Sequence, residues 1–203
     1  MRFNGILIGA SVLSAAVACA PQEDTAAIDT AAPAATTPMS RAAQPGSDED
    51  KIANAMSAAP DSIAQGATIR DWPASEGGEF RQLRAGTNDW ICYPTTPGPE
   101  ASVGEDPMCV DPVFQRWLEA MLAQRDPAVD RIGFSYMLQG DRGASNSDPA
   151  ATDTTAHDWV RVGPHMMVVA PRTLLARFPT TPGPSPWVMW QGTPYAHVMI
   201  PVR

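Results

Sequence analysis

The spacing of apolar and polar positions predicts a helix most clearly at residues 111–124. Its apolar side chains recur every three or four residues on one helix face: Phe114, Trp117, Leu118, Met121 and Leu122. Asp111 suits the N-cap position and Pro112 suits the first helical position. Shorter helices are predicted at residues 47–58, 61–65 and 171–178, from acidic residues or proline near their starts and proline or glycine near their ends.

Short apolar and β-branched runs bounded by Pro and Gly predict strands. These runs lie at residues 67–72, 80–84, 89–93, 132–138, 159–162, 165–170, 187–191 and 195–202. Gly192-Thr193-Pro194 predicts a tight hairpin between the last two strands, and residues 140–157 form a long polar loop. Together these elements predict an α+β fold, with an antiparallel or mixed sheet of about five strands and helices packed on one face.

The first nineteen residues have the pattern of an export signal. Arg2 is followed by the apolar run 6–17, which is shorter than the ~20 residues needed to span a bilayer. Small residues then precede Cys19, and this segment resembles the lipobox of bacterial lipoproteins, whose cysteine becomes acylated. Alternatively, Ala16 and Ala18 fit ordinary signal peptidase cleavage, which would release a soluble form.

The lipobox resemblance implies a domain organisation and a location. Residues 1–18 are the signal peptide, and Cys19 carries acyl chains such as palmitate. Ala20 then implies the outer membrane, facing the periplasm, whereas unlipidated protein would be soluble in the periplasm or secreted. Residues 19–47 are rich in Ala, Thr and Pro and are predicted to be a disordered tether. Residues 48–203 are predicted to form a single α+β domain.

The net charge of the chain limits the classes of partner that it is expected to bind. The net charge is −8, and Lys51 is the only lysine. A chain without a basic stripe is poorly suited to bind nucleic acid or to adhere electrostatically to anionic lipid. The chain is therefore expected to contact the membrane through its lipid anchor and to bind an unidentified protein or small molecule.

The cysteines fit an oxidising compartment. The chain has three, and assigning Cys19 to the signal leaves Cys92 and Cys109 as a pair. Their spacing differs from the C-x-x-C motif of redox proteins, and too few cysteines remain for a zinc cluster. A structural disulfide is predicted.

Three short segments within residues 86–203 resemble a group of exported bacterial proteins without assigned function. They are Trp90-Ile91-Cys92, Pro107-Met108-Cys109-Val110-Asp111 and Pro194-Tyr195-Ala196-His197. The resemblance supports the disulfide and the domain boundary, and it implies nothing about chemistry.

Two His-x-Met segments are candidate metal ligands. Because residues two apart on a strand share a face, His165 would lie beside Met167, and His197 beside Met199. Imidazole and thioether ligands together suit copper, especially Cu(I). Alternatively, the methionines belong to the core and each histidine is a hydrogen-bonded strand residue.

The polar loop is a second candidate site, for Ca²⁺ or another ligand. Its oxygen and imidazole donors are Asp141, Asn146, Asp148, Asp153, His157 and Asp158. The EF-hand pattern is absent, and a solvated loop in which these residues make turns is the alternative. The length of the loop nevertheless suggests a functional role such as ligand binding.

No sequence motif indicates catalysis. The chain has no Gly-x-Ser-x-Gly, Ser-x-x-Lys or His-Glu-x-x-His motif. An enzyme would have to use His157, His165 or His197 as a base in an unrecognised site. Trp187 and Trp190, three residues apart on a strand, are expected on opposite faces, with one free for a partner or both in the core. The leading hypothesis is a non-catalytic domain that binds a ligand or partner.

Overall fold

The computed structural model describes residues 46–75, 77–97 and 105–202. The helices are α1 Asp48–Met56, α2 Asp61–Ala64, α3 Pro112–Leu122 and α4 Arg172–Leu175. The strands are β1 Thr68–Asp71, β2 Arg81–Arg84, β3 Ile91–Tyr93, β4 Met108–Val110, β5 Gly133–Met137, β6 Ala144–Ser145, β7 Trp159–Val160, β8 His165–Val169, β9 Trp187–Met189 and β10 His197–Pro201. The predicted signal, Cys19 and the tether up to residue 45 lie outside the described residues. Within the described ranges, no helix has the length and apolar content needed to cross a membrane.

Eight strands form one mixed sheet in the order β2-β1-β3-β4-β5-β8-β10-β9. Among the described strands only β1 and β3 pair in parallel, while β6 and β7 form a separate antiparallel pair. The α+β class and the mixed sheet are confirmed, but the expectation of about five strands is wrong. The short N-terminal strands belong to the same sheet, which they join through β4. Strand β4 has only three residues, too few for its sequence pattern to predict it.

The sheet is apolar on both faces, and helices cover both. Cys92 and Cys109 belong to an apolar cluster with residues of α1 and α2, and we call this side the disulfide face. The neighbouring residues Tyr93 and Val110 belong to a second cluster with Phe114 of α3, on the side we call the cavity face. The prediction that helices pack on one face is therefore wrong, because a strand that is apolar on both sides needs cover on both.

Helix α3 follows its sequence pattern closely. Asp111 is the N-cap and accepts hydrogen bonds from two backbone N–H groups of the first turn, and Pro112 opens the helix. Gln124 has a left-handed backbone with φ of 52°, which ends the helix before the predicted boundary. Gln115 lies in the core rather than on the polar face, where it accepts a hydrogen bond from the Tyr93 hydroxyl at 2.9 Å.

The predicted disulfide joins the centre of the sheet. Cys92 and Cys109 are directly opposite each other on β3 and β4, both are fully buried, and their sulfur atoms are bonded. Strands β9 and β10 pair antiparallel as predicted. Their connection spans residues 190–196, however, and is longer than the predicted Gly192-Thr193-Pro194 turn.

Removing the disulfide is expected to destabilise the domain. The Cys92→Ala/Cys109→Ala double variant should lower the free energy of unfolding by about 3 kcal/mol, because the crosslink closes a loop with a sequence separation of 17 residues. Urea unfolding of the oxidised wild type and the variant measures the difference. Equal unfolding midpoints with equal slopes would contradict a stabilising role.

Candidate ligand-binding site

A cavity of about 600 Å³ lies on the cavity face, beneath the polar loop 138–164. Six of the ten methionines of the chain line it: Met108, Met121, Met137, Met167, Met189 and Met199. Aromatic side chains add Phe114, Trp117, Trp159 and Trp190. Few polar side chains line it, chiefly Asp106, Asp141, Arg142, Thr152 and His197. Its size and its mainly apolar wall are typical of small-molecule sites.

The sheet register brings most of the His-x-Met residues together. Met199 lies directly opposite Met167 on β8, and His197 lies opposite Met189 on β9. All four line the cavity. Neighbouring side chains on one face of an antiparallel pair have Cβ atoms about 5 Å apart. Met189 is a member of this group that the sequence did not single out.

His165 is separated from the other three predicted metal ligands. It lies opposite Pro201, four residues along β10 from His197, which corresponds to ~13 Å along the strand. It is fully buried and is not part of the cavity wall.

Hydrogen bonds hold the polar loop in place over the cavity. Its short strands β6 and β7 pair with each other, and the Trp190 indole donates to the Ser145 carbonyl at 2.8 Å. The Trp187 indole donates to the side-chain oxygen of Asn146 at 3.2 Å. Arg142 donates from Nε and Nη2 to one oxygen of Asp106, at 3.0 and 2.8 Å.

The backbone of Trp190 redirects its side chain. Its φ of 57° lies in the left-handed region, where a bulky residue is strained, and β9 ends at Met189 before it. The Trp190 ring consequently stacks parallel to Trp117, with centroids 6.4 Å apart. Trp187 belongs to the core of the same face, so the expectation that these two tryptophans point to opposite faces is wrong.

Asp141 is held through one of its two carboxylate oxygens. Its Oδ1 accepts the backbone N–H groups of Gly143 at 3.0 Å and Val162 at 2.9 Å. Its Oδ2 lies 3.9 Å from His165 Nε2, too far for a hydrogen bond. Burial raises the pKa of Asp141, and the two backbone hydrogen bonds partly oppose this rise. A Cβ on Gly143 would collide with the indole of Trp159, which explains the glycine beside this carboxylate.

Both buried histidines present an unprotonated nitrogen. His165 Nδ1 lies 2.8 Å from the Gly163 carbonyl and His197 Nδ1 lies 3.0 Å from the Tyr195 carbonyl. Because a carbonyl oxygen only accepts, Nδ1 carries the hydrogen and Nε2 of each neutral ring carries a lone pair. Burial lowers the pKa of both histidines, that of His197 to about 4.

The other loop residues predicted as ligands do not line the cavity. Asp158 accepts the hydroxyls of Ser145 and Ser147 at 2.7 and 2.6 Å, while Asp148 and Asp153 accept backbone N–H groups of the turns that follow them. His157 is exposed. In the part of the chain that the structure describes, no group of three or more His, Cys, Asp or Glu side chains is arranged to hold a metal ion.

Sequence reasoning missed several residues of this cavity. Met108, Met137 and Met189 stand on strands like Met167 and Met199, so alternating methionines on successive strands were the available signal. The ion pair of Asp106 with Arg142 joins residues 36 positions apart and had no signal in the local sequence. The chain matches no known protein family, no curated protein and no solved structure.

Stability is expected to fall as the pH drops from 6.5 to 4. In the unfolded chain His197 takes up a proton near pH 6.5, whereas in the fold its pKa is about 4. Between these values protonation favours the unfolded chain, by up to about 3 kcal/mol for this residue. His197→Asn should therefore weaken the pH dependence, as urea unfolding at several pH values will show.

His165 stays in that variant and acts in the same direction, because its pKa is also lowered. The raised pKa of Asp141 acts in the opposite direction, since the folded state then holds its proton more tightly. The difference between wild type and His197→Asn isolates His197. His157→Asn, at an exposed position, is the matched control. Identical pH profiles for wild type and His197→Asn would refute the assignment.

Proposed function

We propose that this chain is an exported, non-catalytic binding domain that holds a small, mainly apolar molecule in the methionine- and tryptophan-lined cavity. The observation that carries the proposal is the cavity itself, which has a volume of about 600 Å³ and lies beneath the polar loop. The wall of this cavity is mainly apolar and can be reached from solvent. A bound apolar molecule would remove that apolar surface from water, which is favourable.

The composition of the wall supports a ligand with an apolar body. Unbranched thioether side chains adapt to irregular shapes, and methionine is frequent at surfaces that bind varied apolar partners. Trp117, Trp159 and Trp190 add large aromatic surface for stacking. The few polar groups are suited to orient a ligand rather than to solvate it.

The proposed location is the cell envelope, with the domain on a tether anchored through Cys19 at the outer membrane. The disulfide between Cys92 and Cys109 supports an oxidising compartment. Ser47 caps α1 with a reciprocal capping box, which supports the start of the domain close to residue 48. Cleavage without lipidation would give the soluble periplasmic form of the same domain.

An apolar fluorescent dye tests the proposal. N-phenyl-1-naphthylamine should bind the protein and quench tryptophan fluorescence by energy transfer, because three tryptophans line the cavity. Ala144→Phe, which places a ring into the cavity, should weaken dye binding by about tenfold or more through lost volume. Fluorescence titration measures both effects.

A second, smaller apolar cavity beside α4 supplies the matched control. Its wall includes Ala170, Leu175 and Val198 but no tryptophan among the described residues. Ala170→Phe should leave dye affinity unchanged, provided that circular dichroism shows both variants folded. Dye binding lost in Ala170→Phe and kept in Ala144→Phe would place the dye elsewhere and defeat the proposal, as would an absence of binding to the wild type.

Cu(I) binding is the second candidate function, favoured by the sheet register. Met167, Met199 and Met189 surround His197 on one face, and the Nε2 lone pair of His197 is of the kind that binds metals. The supported ligand set is thus narrower than the two His-x-Met segments together, since His165 stands apart.

Competition with a coloured Cu(I) chelator under ascorbate tests this candidate. Met199→Leu removes one thioether at nearly constant volume and should weaken Cu(I) binding by about tenfold. Met166→Leu, on the side of β8 that faces away from the cavity, is the matched control and should bind as the wild type does. A wild type that does not compete with the chelator, or equal affinities in all three proteins, would exclude the site.

A further inference from the structure

The cavity wall has few charged groups, and its acidic groups outnumber its basic ones. Among the described residues that line it, two carry carboxylates, Asp106 and Asp141, and one carries a guanidinium, Arg142. His197 adds no charge near neutral pH, because burial lowers its pKa to about 4. With both carboxylates ionised, the wall therefore has a net charge of −1.

Arg142 already forms an ion pair with one of the two carboxylates. Its Nε and Nη2 both donate to Oδ2 of Asp106, and the other oxygen of Asp106 accepts the backbone N–H of Thr96 at 2.8 Å. Both side chains of the pair are mostly buried, at 14% and 16% exposure. This pair is neutral overall, so the uncompensated negative charge belongs to Asp141.

No hydrogen bond from the described residues reaches the second carboxylate oxygen of Asp141. Two backbone N–H groups hold Oδ1, while Oδ2 is directed towards His165 Nε2 at 3.9 Å. That nitrogen is fully buried and has no hydrogen-bond partner among the described residues. Since Nδ1 of His165 carries the ring hydrogen, two acceptors face each other at 3.9 Å. The Asp141 side chain is 16% exposed and lines the cavity, so a donor on a ligand can reach Oδ2.

We infer that the ligand of this cavity is an organic monocation, in which an apolar body fills the methionine-lined space and an ammonium group binds Oδ2 of Asp141. The inference rests on the proposed binding function and names its ligand class. The body meets thioethers and the rings of Trp117 and Trp190, while Trp159 lies against Gly143 close to the carboxylate. Aromatic faces also attract cations.

The same geometry disfavours anions. A carboxylate or phosphate placed at this end of the cavity would meet Asp141 with Arg142 already neutralised by Asp106. A neutral alcohol can donate one hydrogen bond to Asp141 but brings no charge, and charge-assisted hydrogen bonds are about twice as strong as neutral ones. The expected order of affinity is ammonium, then alcohol, then carboxylate.

Three phenylalkyl probes of similar shape test this order: 4-phenylbutylammonium, 4-phenylbutan-1-ol and 5-phenylpentanoate. Each is titrated calorimetrically against the oxidised protein at pH 7. The ammonium should bind about tenfold more tightly than the alcohol, and the carboxylate most weakly. In Asp141→Asn the preference for the ammonium should disappear while the alcohol still binds. Asparagine keeps an oxygen for the N–H groups of Gly143 and Val162, so the fold is retained.

Asp148→Asn makes the same change of charge at an exposed position of the same loop, outside the cavity wall, and should keep the wild-type preference. Equal affinities of ammonium and alcohol for the wild type, or a preference that survives in Asp141→Asn, would overturn the inference but leave the binding function standing. If none of the three probes binds and the apolar dye does not bind either, the binding function itself is wrong.

Discussion

The central strands carry apolar side chains on both faces, and most of the architecture follows from this constraint. Cys92 and Tyr93, next to each other on β3, belong to separate buried clusters on opposite sides of the sheet. Each side must be shielded from water, at roughly 25 cal/mol for each Å² of apolar surface buried. Small alanine-rich helices α1 and α2 approach the disulfide face closely, whereas the bulky side chains of α3 stand on the other.

The cavity lies between α3, the sheet and the polar loop, and residues of all three line it. At eleven residues, and therefore ~16 Å long, the helix contacts β4, β5 and β8, and its Trp117 ring packs edge-on against His197 of β10. The polar loop closes this side through hydrogen bonds to Trp187 and Trp190, and its Ala144, Val160 and Val162 pack against the core. Flexible methionines line the space between the loop and the sheet.

The proposed preference of the cavity for a cation rests on electrostatics. His165 and His197 are buried in neutral form, each with one nitrogen satisfied by a carbonyl two residues earlier, so neither compensates the charge of Asp141. Keeping a carboxylate at an apolar wall opposes stability, because burial favours its neutral form. In the proposed complex, Oδ2 of Asp141 would accept a charge-assisted hydrogen bond from the cation, in surroundings less polar than water.

The sequence by itself determined the local elements: the capped helix after Asp111, the paired cysteines, and strands whose alternation places His197 beside Met199 on one face. Local spacing carries this information because helices and strands have fixed periods. Only the tertiary structure decided which strands are neighbours, that Met189 lies opposite His197, and that Arg142 forms an ion pair with Asp106. It also decided, through the left-handed backbone of Trp190, which face that ring occupies. These features depend on pairing between distant segments, and no local periodicity records which distant segment a strand or a charge will meet.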